Sequence, residues 1–205
     1  MMLEGATHTQ YDERQGLIDL LATDLIQDRG IAIDGGAHVG TWTEIFAAEF
    51  RQVHAFESGP AWPYLVENMG GVGNVVCHHA ALSDVIEPMT SFHRRHTGKM
   101  TSYRVRPDPE GDIEAVTIDS LELPECSMIK LDIEGYEYKA LIGAEQTIEK
   151  YQPFLLVEMC GHGKHAGSSD RAVRELIEIK FGYRQVWHWG VDFGFAPEFP
   201  NRGIL

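Results

Sequence analysis

Acidic residues recur in this sequence at the ends of short apolar runs. Ile31-Ala32-Ile33 runs into Asp34, Gln52 to Phe56 into Glu57, Ser127 to Leu131 into Asp132, and Phe154 to Val157 into Glu158; Asp84 stands shortly after a further run, 74–79. A carboxylate so placed can accept from ligand hydroxyls, orient a polar group or act as a general base. Glu134 follows Asp132 by two residues, and His162 and His165 lie in a Gly/His-rich stretch after Glu158, where an imidazole can titrate near neutral pH. If the runs are parallel strands, these carboxylates collect along one edge, and together they repel one another unless a cation sits among them.

Asp34 opens a glycine turn, Gly35-Gly36-Ala37, followed by Gly40 and Thr41 and a run with helical character. That is a buried strand, a tight turn and a helix start, which presents backbone N–H groups to a ligand. Gly35 and Gly36 leave the backbone open to close approach. The glycines fall as G-G-x-x-x-G rather than in the dinucleotide pattern G-x-G-x-x-G, and Asp34 would repel a pyrophosphate. A carboxylate there suits a ligand with a cationic ammonium or sulfonium. S-adenosylmethionine carries both, with an adenosine and no phosphate. Glu57 stands about 20 residues on, where an acidic group holds ribose hydroxyls in doubly wound folds. Asp84 repeats the arrangement and is placed for an adenine amino group.

Composition limits the choices. The chain has 205 residues and a formal charge of −14, which argues against general nucleic-acid binding. Cys77, Cys126 and Cys160 are isolated, with no C-x-x-C pair, which reads as reduced thiols in a cytoplasmic protein. No apolar run approaches the ~18 residues of a membrane-spanning helix.

The elements that must position these residues follow from periodicity. Leu17, Leu20, Leu21, Leu25 and Ile26 predict an amphipathic helix over 11–27, ended by Gly30. Strands near 31–34, 52–56, 74–79, 127–131 and 154–157 alternate with helices near 40–50, 61–68, from after Glu137 to about 150, and 170–181. The alternation predicts a mostly parallel sheet with helices on both faces. An antiparallel hairpin, 183–189 with 191–196, closes it. Strands at 89–93, 102–105 and 114–118 predict an extra β-hairpin insertion around 86–117. It carries Arg94, Arg95, Lys99, Arg104 and Arg106, five of the chain's 17 basic residues, along with His93 and His96. The expected organisation is one domain over 1–205, with a helical extension at 1–29 and a core at 31–196.

In order and spacing, IDGGAHVGTWT, AFES, AALSD, TIDSLELPECSMIKLDIEGYEYKALIGA and PFLLVE resemble the FkbM-type methyltransferases. The resemblance covers about residues 31–158, and its most specific part is IKLDIEGYE with the downstream LIGA. It implies a Rossmann-like α/β fold with a seven-stranded sheet. It implies S-adenosylmethionine as methyl donor, with Asp34, Gly35, Gly36, Ala37, Gly40 and Thr41 around its methionine part. Glu57, with Ser58 beside it, falls on the ribose, Ser83 and Asp84 near the adenine, and Asp132 against the cofactor. It further implies O-methylation of a hydroxyl, often on a sugar or polyketide. His38 departs from the family, which usually has a smaller polar residue such as Asn there.

Methyl transfer to oxygen needs an aligned acceptor, excluded water and a proton acceptor. The catalytic candidates are Asp132 and Glu134, then Glu158, then His162. Glu137 reads as an acid complementing a helix dipole. Asp132 and Glu158, with Glu134 or a histidine, form an alternative in which Mg²⁺ assists; the route without metal is preferred. The basic insertion hints at an anionic acceptor. Trp187, Trp189, Phe193 and Phe195 read either as core or as an apolar edge that pairs with a second chain, so oligomeric state stays open. Two competing readings remain. One is a non-catalytic ligand- or partner-binding module, and the other is an NAD-dependent oxidoreductase, which the glycine spacing disfavours.

Overall fold

The computed structural model describes residue 3 and residues 14–93 and 103–198. A seven-stranded sheet has the order β10-β11-β9-β8-β1-β2-β3. Its parallel strands are β1 (Ile31–Gly35), β2 (Gln52–Phe56), β3 (Val75–His78), β8 (Met128–Leu131) and β9 (Phe154–Glu158). The expected hairpin, β10 (Tyr183–Trp189) and β11 (Asp192–Pro197), completes the sheet antiparallel to β9. The central strands β1 and β8 are buried along their length, as strands covered on both faces must be. Period-two alternation sorts their side chains. Ile31, Ile33, Ile129, Leu131, Leu155 and Val157 pack under α4 (Glu137–Ile142), α5 (Glu145–Tyr151) and α6 (Asp170–Glu175). Ala32, Met128 and Leu156 pack on the opposite face under α1 (Arg14–Leu21) and α2 (Thr41–Glu49). Helix α3 (Trp62–Met69) covers β2 and β3 near the glycine turn.

Four expectations change in detail. Helix α1 ends at Leu21 rather than running to Gln27. Thr23 turns its N–H and hydroxyl onto the Leu20 carbonyl, and the Arg29 guanidinium takes the Leu21 carbonyl at 2.7 Å, so the last turn is closed by side chains and Gly30 is not the cap. The run 74–79 is the edge strand β3, and after His79 the chain re-pairs elsewhere as β4 (Ala80–Leu82). The insertion is larger than a hairpin: β5 (Glu87–His93), β6 (Tyr103–Pro107) and β7 (Ile113–Val116) join β4 in a second, four-stranded sheet, β4-β7-β5-β6. Arg94, Arg95, His96 and Lys99 lie outside the described residues. Finally, the single helix expected to run to about Lys150 is two, α4 and α5, separated at Gly143. A Cβ there would meet the Ser83 carbonyl oxygen at 2.0 Å. The Asp119 carboxylate then accepts from the N–H groups of Gln146 and Thr147, capping α5.

Candidate functional site

The strand-end carboxylates stand along one edge of the large sheet, but they do not all face outward. Asp34 is fully buried. Its Oδ2 accepts from the Thr43 hydroxyl at 2.6 Å, and its Oδ1 lies 3.0 Å from Lys130 Nζ. The register explains the pair, since Asp34 on β1 stands opposite Lys130 on β8 and both side chains fall on the α2 face. Lys130 also donates to the carbonyls of Gly35 and Gly36, at 3.1 and 3.0 Å, and lies 4.0 Å from Asp132 Oδ2. Burial opposes its charge, but Asp34 and Asp132 hold its pKa above the ordinary ammonium value. The cation among the carboxylates is therefore a side chain of the chain itself, which composition and spacing did not reveal.

The glycine turn is built by close approach. Gly36 has φ +75°, and a Cβ on it would fall 1.8 Å from the Asp132 carbonyl oxygen, so the loops after β1 and β8 meet backbone to backbone. Ala37 is buried, Gly40 takes φ +94° ahead of α2, and Thr41 is buried at the first position of that helix. Glu57 follows β2. Its Oε2 accepts from the His38 N–H at 2.9 Å and its Oε1 from the Gly59 N–H. Each oxygen keeps a second lone pair for a ligand hydroxyl. Burial raises the Glu57 pKa and lowers that of His38 to about 4, keeping the imidazole neutral. Ser58 is half-buried next to Glu57. After β4, Ser83 is buried and donates to Asp84 Oδ1 at 3.0 Å, and Lys139 stands 3.7 Å from Asp84.

Three of the four catalytic candidates converge. Glu134 sits in the turn after β8 at φ +55°, a conformation that costs a non-glycine residue about 1–3 kcal/mol and persists only where its surroundings impose it. Here the next residue imposes it. Gly135, at φ +111°, lies so close to the loop after β9 that a Cβ would meet the His162 carbonyl oxygen at 2.5 Å. The result is a Glu134 Oε2 to His162 Nδ1 distance of 3.0 Å. Glu158 Oε2 lies 3.9 Å from the same nitrogen. Burial first, then the charge of Asp132, pushes the Glu158 pKa up to about 9. Asp132 remains more open, at the mouth of the glycine turn, with 45% of its side chain exposed. Glu137 does more than complement a dipole: its Oε1 accepts from the N–H groups of Ile133 and Gly135, each at 3.0 Å, and ties down the turn that carries Glu134.

Two residues that sequence reasoning did not select join this cluster. Cys160 Sγ lies 3.0 Å from both Glu158 Oε2 and His162 Nδ1. Arg104, from β6 of the second sheet, has 12% of its side chain exposed and brings its Nε to 3.7 Å from Glu134 Oε2. The signal for Cys160 was the spacing E-x-C-x-H; for Lys130 it was a lysine inside an otherwise apolar strand.

A family model for the methyltransferase FkbM domain matches residues 34–185. A hexuronic acid methyltransferase, AglP, from Haloferax volcanii is 27% identical over 169 residues, which cover 80% of this chain and 67% of the relative. The crystal structure of methyltransferase FkbM from Methylobacillus flagellatus KT superposes with a TM-score of 0.54 at 16% identity, over 82% of this chain. The chain spans only 44% of that protein's length. The magnesium protoporphyrin IX methyltransferase ChlM from Synechocystis PCC 6803, solved with bound S-adenosylmethionine, gives a TM-score of 0.54 at 8% identity, over 93% of this chain and 81% of its own. At these identities the structural likeness is one of fold.

Proposed function

This chain belongs to the FkbM methyltransferase family, and from that membership we propose that it is an S-adenosylmethionine-dependent O-methyltransferase acting on a hydroxyl of a carboxylate-bearing, sugar-like small molecule. The observation that carries the reading is the 3.0 Å pairing of Glu134 with His162 on the same sheet edge as the pinned carboxylate of Glu57. The residues fit the cofactor: Glu57 has oriented lone pairs for two ribose hydroxyls, the turn at Gly36 offers half-buried backbone for the methionine part, and Asp84, with Ser83 donating to it, suits the adenine amino group. S-adenosylmethionine, when bound, supplies an electrophilic methyl group on its sulfonium.

The chain's own residues do the rest. Glu134 takes the acceptor hydroxyl's proton, His162 orients its carboxylate, and Asp132 aligns acceptor and donor at the mouth of the turn. Arg104 supplies a guanidinium beside Glu134 for an anionic group of the acceptor. The name of the Haloferax relative supports a sugar acid, and Arg104 is the feature of this chain that fits one. Among the described residues no helix is long and apolar enough to cross a membrane, and a cytoplasmic setting is part of the reading.

The test is calorimetry followed by turnover. S-adenosylmethionine and S-adenosylhomocysteine are expected to bind and NAD is not, and Glu57→Gln is expected to weaken both by about tenfold, the loss of a hydrogen bond to a charged group. With uronic acids as acceptors, Glu134→Gln lowers kcat by roughly 10²–10⁴-fold and leaves cofactor affinity unchanged. Binding of NAD alone overturns the reading, and so does methyl uptake only on nitrogen or carbon.

A further inference from the structure

Glu158, Cys160 and His162 present three different ligand chemistries at one point. A carboxylate oxygen, a thiol sulfur and an imidazole nitrogen lie within 4.8 Å of one another, with separations of 3.0, 3.0 and 3.9 Å. Around a tetrahedral Zn²⁺ with bonds near 2.0–2.3 Å, ligand atoms stand roughly 3.5 Å apart. The observed set straddles that value, so closure on an ion needs shifts of tenths of an ångström. The loop is shaped for it. Gly161, at φ +79°, reverses the chain between Cys160 and His162, so side chains two residues apart reach the same point. Its N–H donates to both carboxylate oxygens of Asp170, at 3.1 and 3.0 Å, which fixes the loop against the start of α6.

We propose that Glu158, Cys160 and His162 bind one borderline-soft divalent cation of the Zn²⁺ or Co²⁺ type. The donor set decides the class: Mg²⁺ takes hard oxygen ligands in octahedral geometry, whereas a thiolate with an imidazole selects later transition metals. This differs from an Mg²⁺ site on Asp132 and Glu158. The ion forms bonds to Cys160 Sγ, His162 Nδ1 and Glu158 Oε2; the protons of the Cys160 thiol and the Glu158 carboxyl leave to solvent, and His162 Nδ1 exchanges its contact with Glu134 for the metal. Three protein ligands leave one tetrahedral position open, and Glu134 Oε2 lies 3.0 Å from the His162 ligand atom. On the methyltransferase reading, which this part of the proposal rests on, the acceptor hydroxyl occupies that position and loses its proton to Glu134 more readily. Binding also relieves the local crowding of acids.

The probe is Co²⁺ added alone to the full chain after chelator treatment and gel filtration. The expected result is a near-ultraviolet thiolate-to-cobalt charge-transfer band that saturates at one equivalent and is bleached by Zn²⁺. Cys160→Ser removes the band and weakens Co²⁺ binding at least tenfold, while Cys77→Ser leaves both intact. Absence of the band in the native chain overturns the proposal, and so does a band of unchanged intensity in Cys160→Ser. Because S-adenosylmethionine affinity is measured separately, a protein that binds the cofactor but gives no band refutes the metal site and leaves the methyltransferase reading standing.

Discussion

At the residue scale the decisive group is Lys130. A fully buried carboxylate such as Asp34 is tolerated only if it is paired and hydrogen-bonded, and Lys130 with Thr43 supplies both. Removing one partner leaves the other charge buried, so Lys130→Met is expected to cost about 3–5 kcal/mol. The double change Lys130→Met with Asp34→Asn removes both charges and is expected to recover at least half of that loss. Urea unfolding of the two single variants and the double closes the cycle; additive losses would show that the pair carries no coupling. The same logic makes Asp34→Ala a poor test of cofactor binding, because it orphans Lys130. The sequence exposed Asp34, Glu57, Asp132 and Glu158 because a polar residue ending an apolar run breaks a visible pattern. It concealed Lys130 because the partner of a strand residue depends on register, which only strand pairing reveals. Cys160 was hidden for a related reason: its place beside Glu158 and His162 depends on the left-handed turn at Gly161, and the absence of C-x-x-C made it look solitary.

At the element scale, the short helix α4 controls the candidate base through its first residue. Glu137 is buried and accepts from two backbone N–H groups of the preceding turn, yet burial raises its pKa from 4.5 to about 7. Between those values the folded chain holds a proton that the unfolded chain has released. Stability contributed by this group therefore falls as pH rises from 4.5 to 7, and the whole penalty is present above 7. A shift of that size corresponds to roughly 3–4 kcal/mol. Glu137→Gln keeps an acceptor oxygen without the charge. It is expected to exceed the native chain in stability by that amount at pH 8 and to match it at pH 4.5, as read by urea midpoints at both pH values. An equal difference at the two pH values would mean that the carboxyl does not change protonation on folding. The parallel elements around this turn were legible because alternating apolar runs and helices admit few arrangements. The second sheet was legible only as strands. That β4 leaves the large sheet after His79 to pair with β7 is settled by tertiary hydrogen bonds, not by any local residue preference.

At the scale of the whole molecule, α1 acts as a strap. Leu17 and Leu20 are fully buried and pack with Phe46 of α2, with Phe50 just beyond its end, and with Ala32, Met128 and Leu156 from three sheet strands. At its start, Gly16 lies so close to Trp189 of the far hairpin that a Cβ would meet the indole at 2.6 Å. An ion pair at 2.8 Å, Arg14 with Glu44, ties the same helix to α2. One helix thus links the helix that follows the glycine turn, at the middle of the sheet, with the hairpin that closes one edge of it. Leu20→Ala opens a cavity at the centre of this contact and is expected to cost about 2–5 kcal/mol, the range for a buried leucine whose surroundings relax only in part. Because α1 touches both elements, the loss should be shared by the whole domain. In Leu20→Ala, tryptophan fluorescence, from Trp42 on α2, Trp62 on α3 and Trp187 and Trp189 on the hairpin, should move to lower urea in a single transition that coincides with far-ultraviolet circular dichroism. Two separated transitions would show instead that the hairpin and the part of the sheet around the glycine turn unfold as independent units, and that α1 rests on one of them without coupling it to the other.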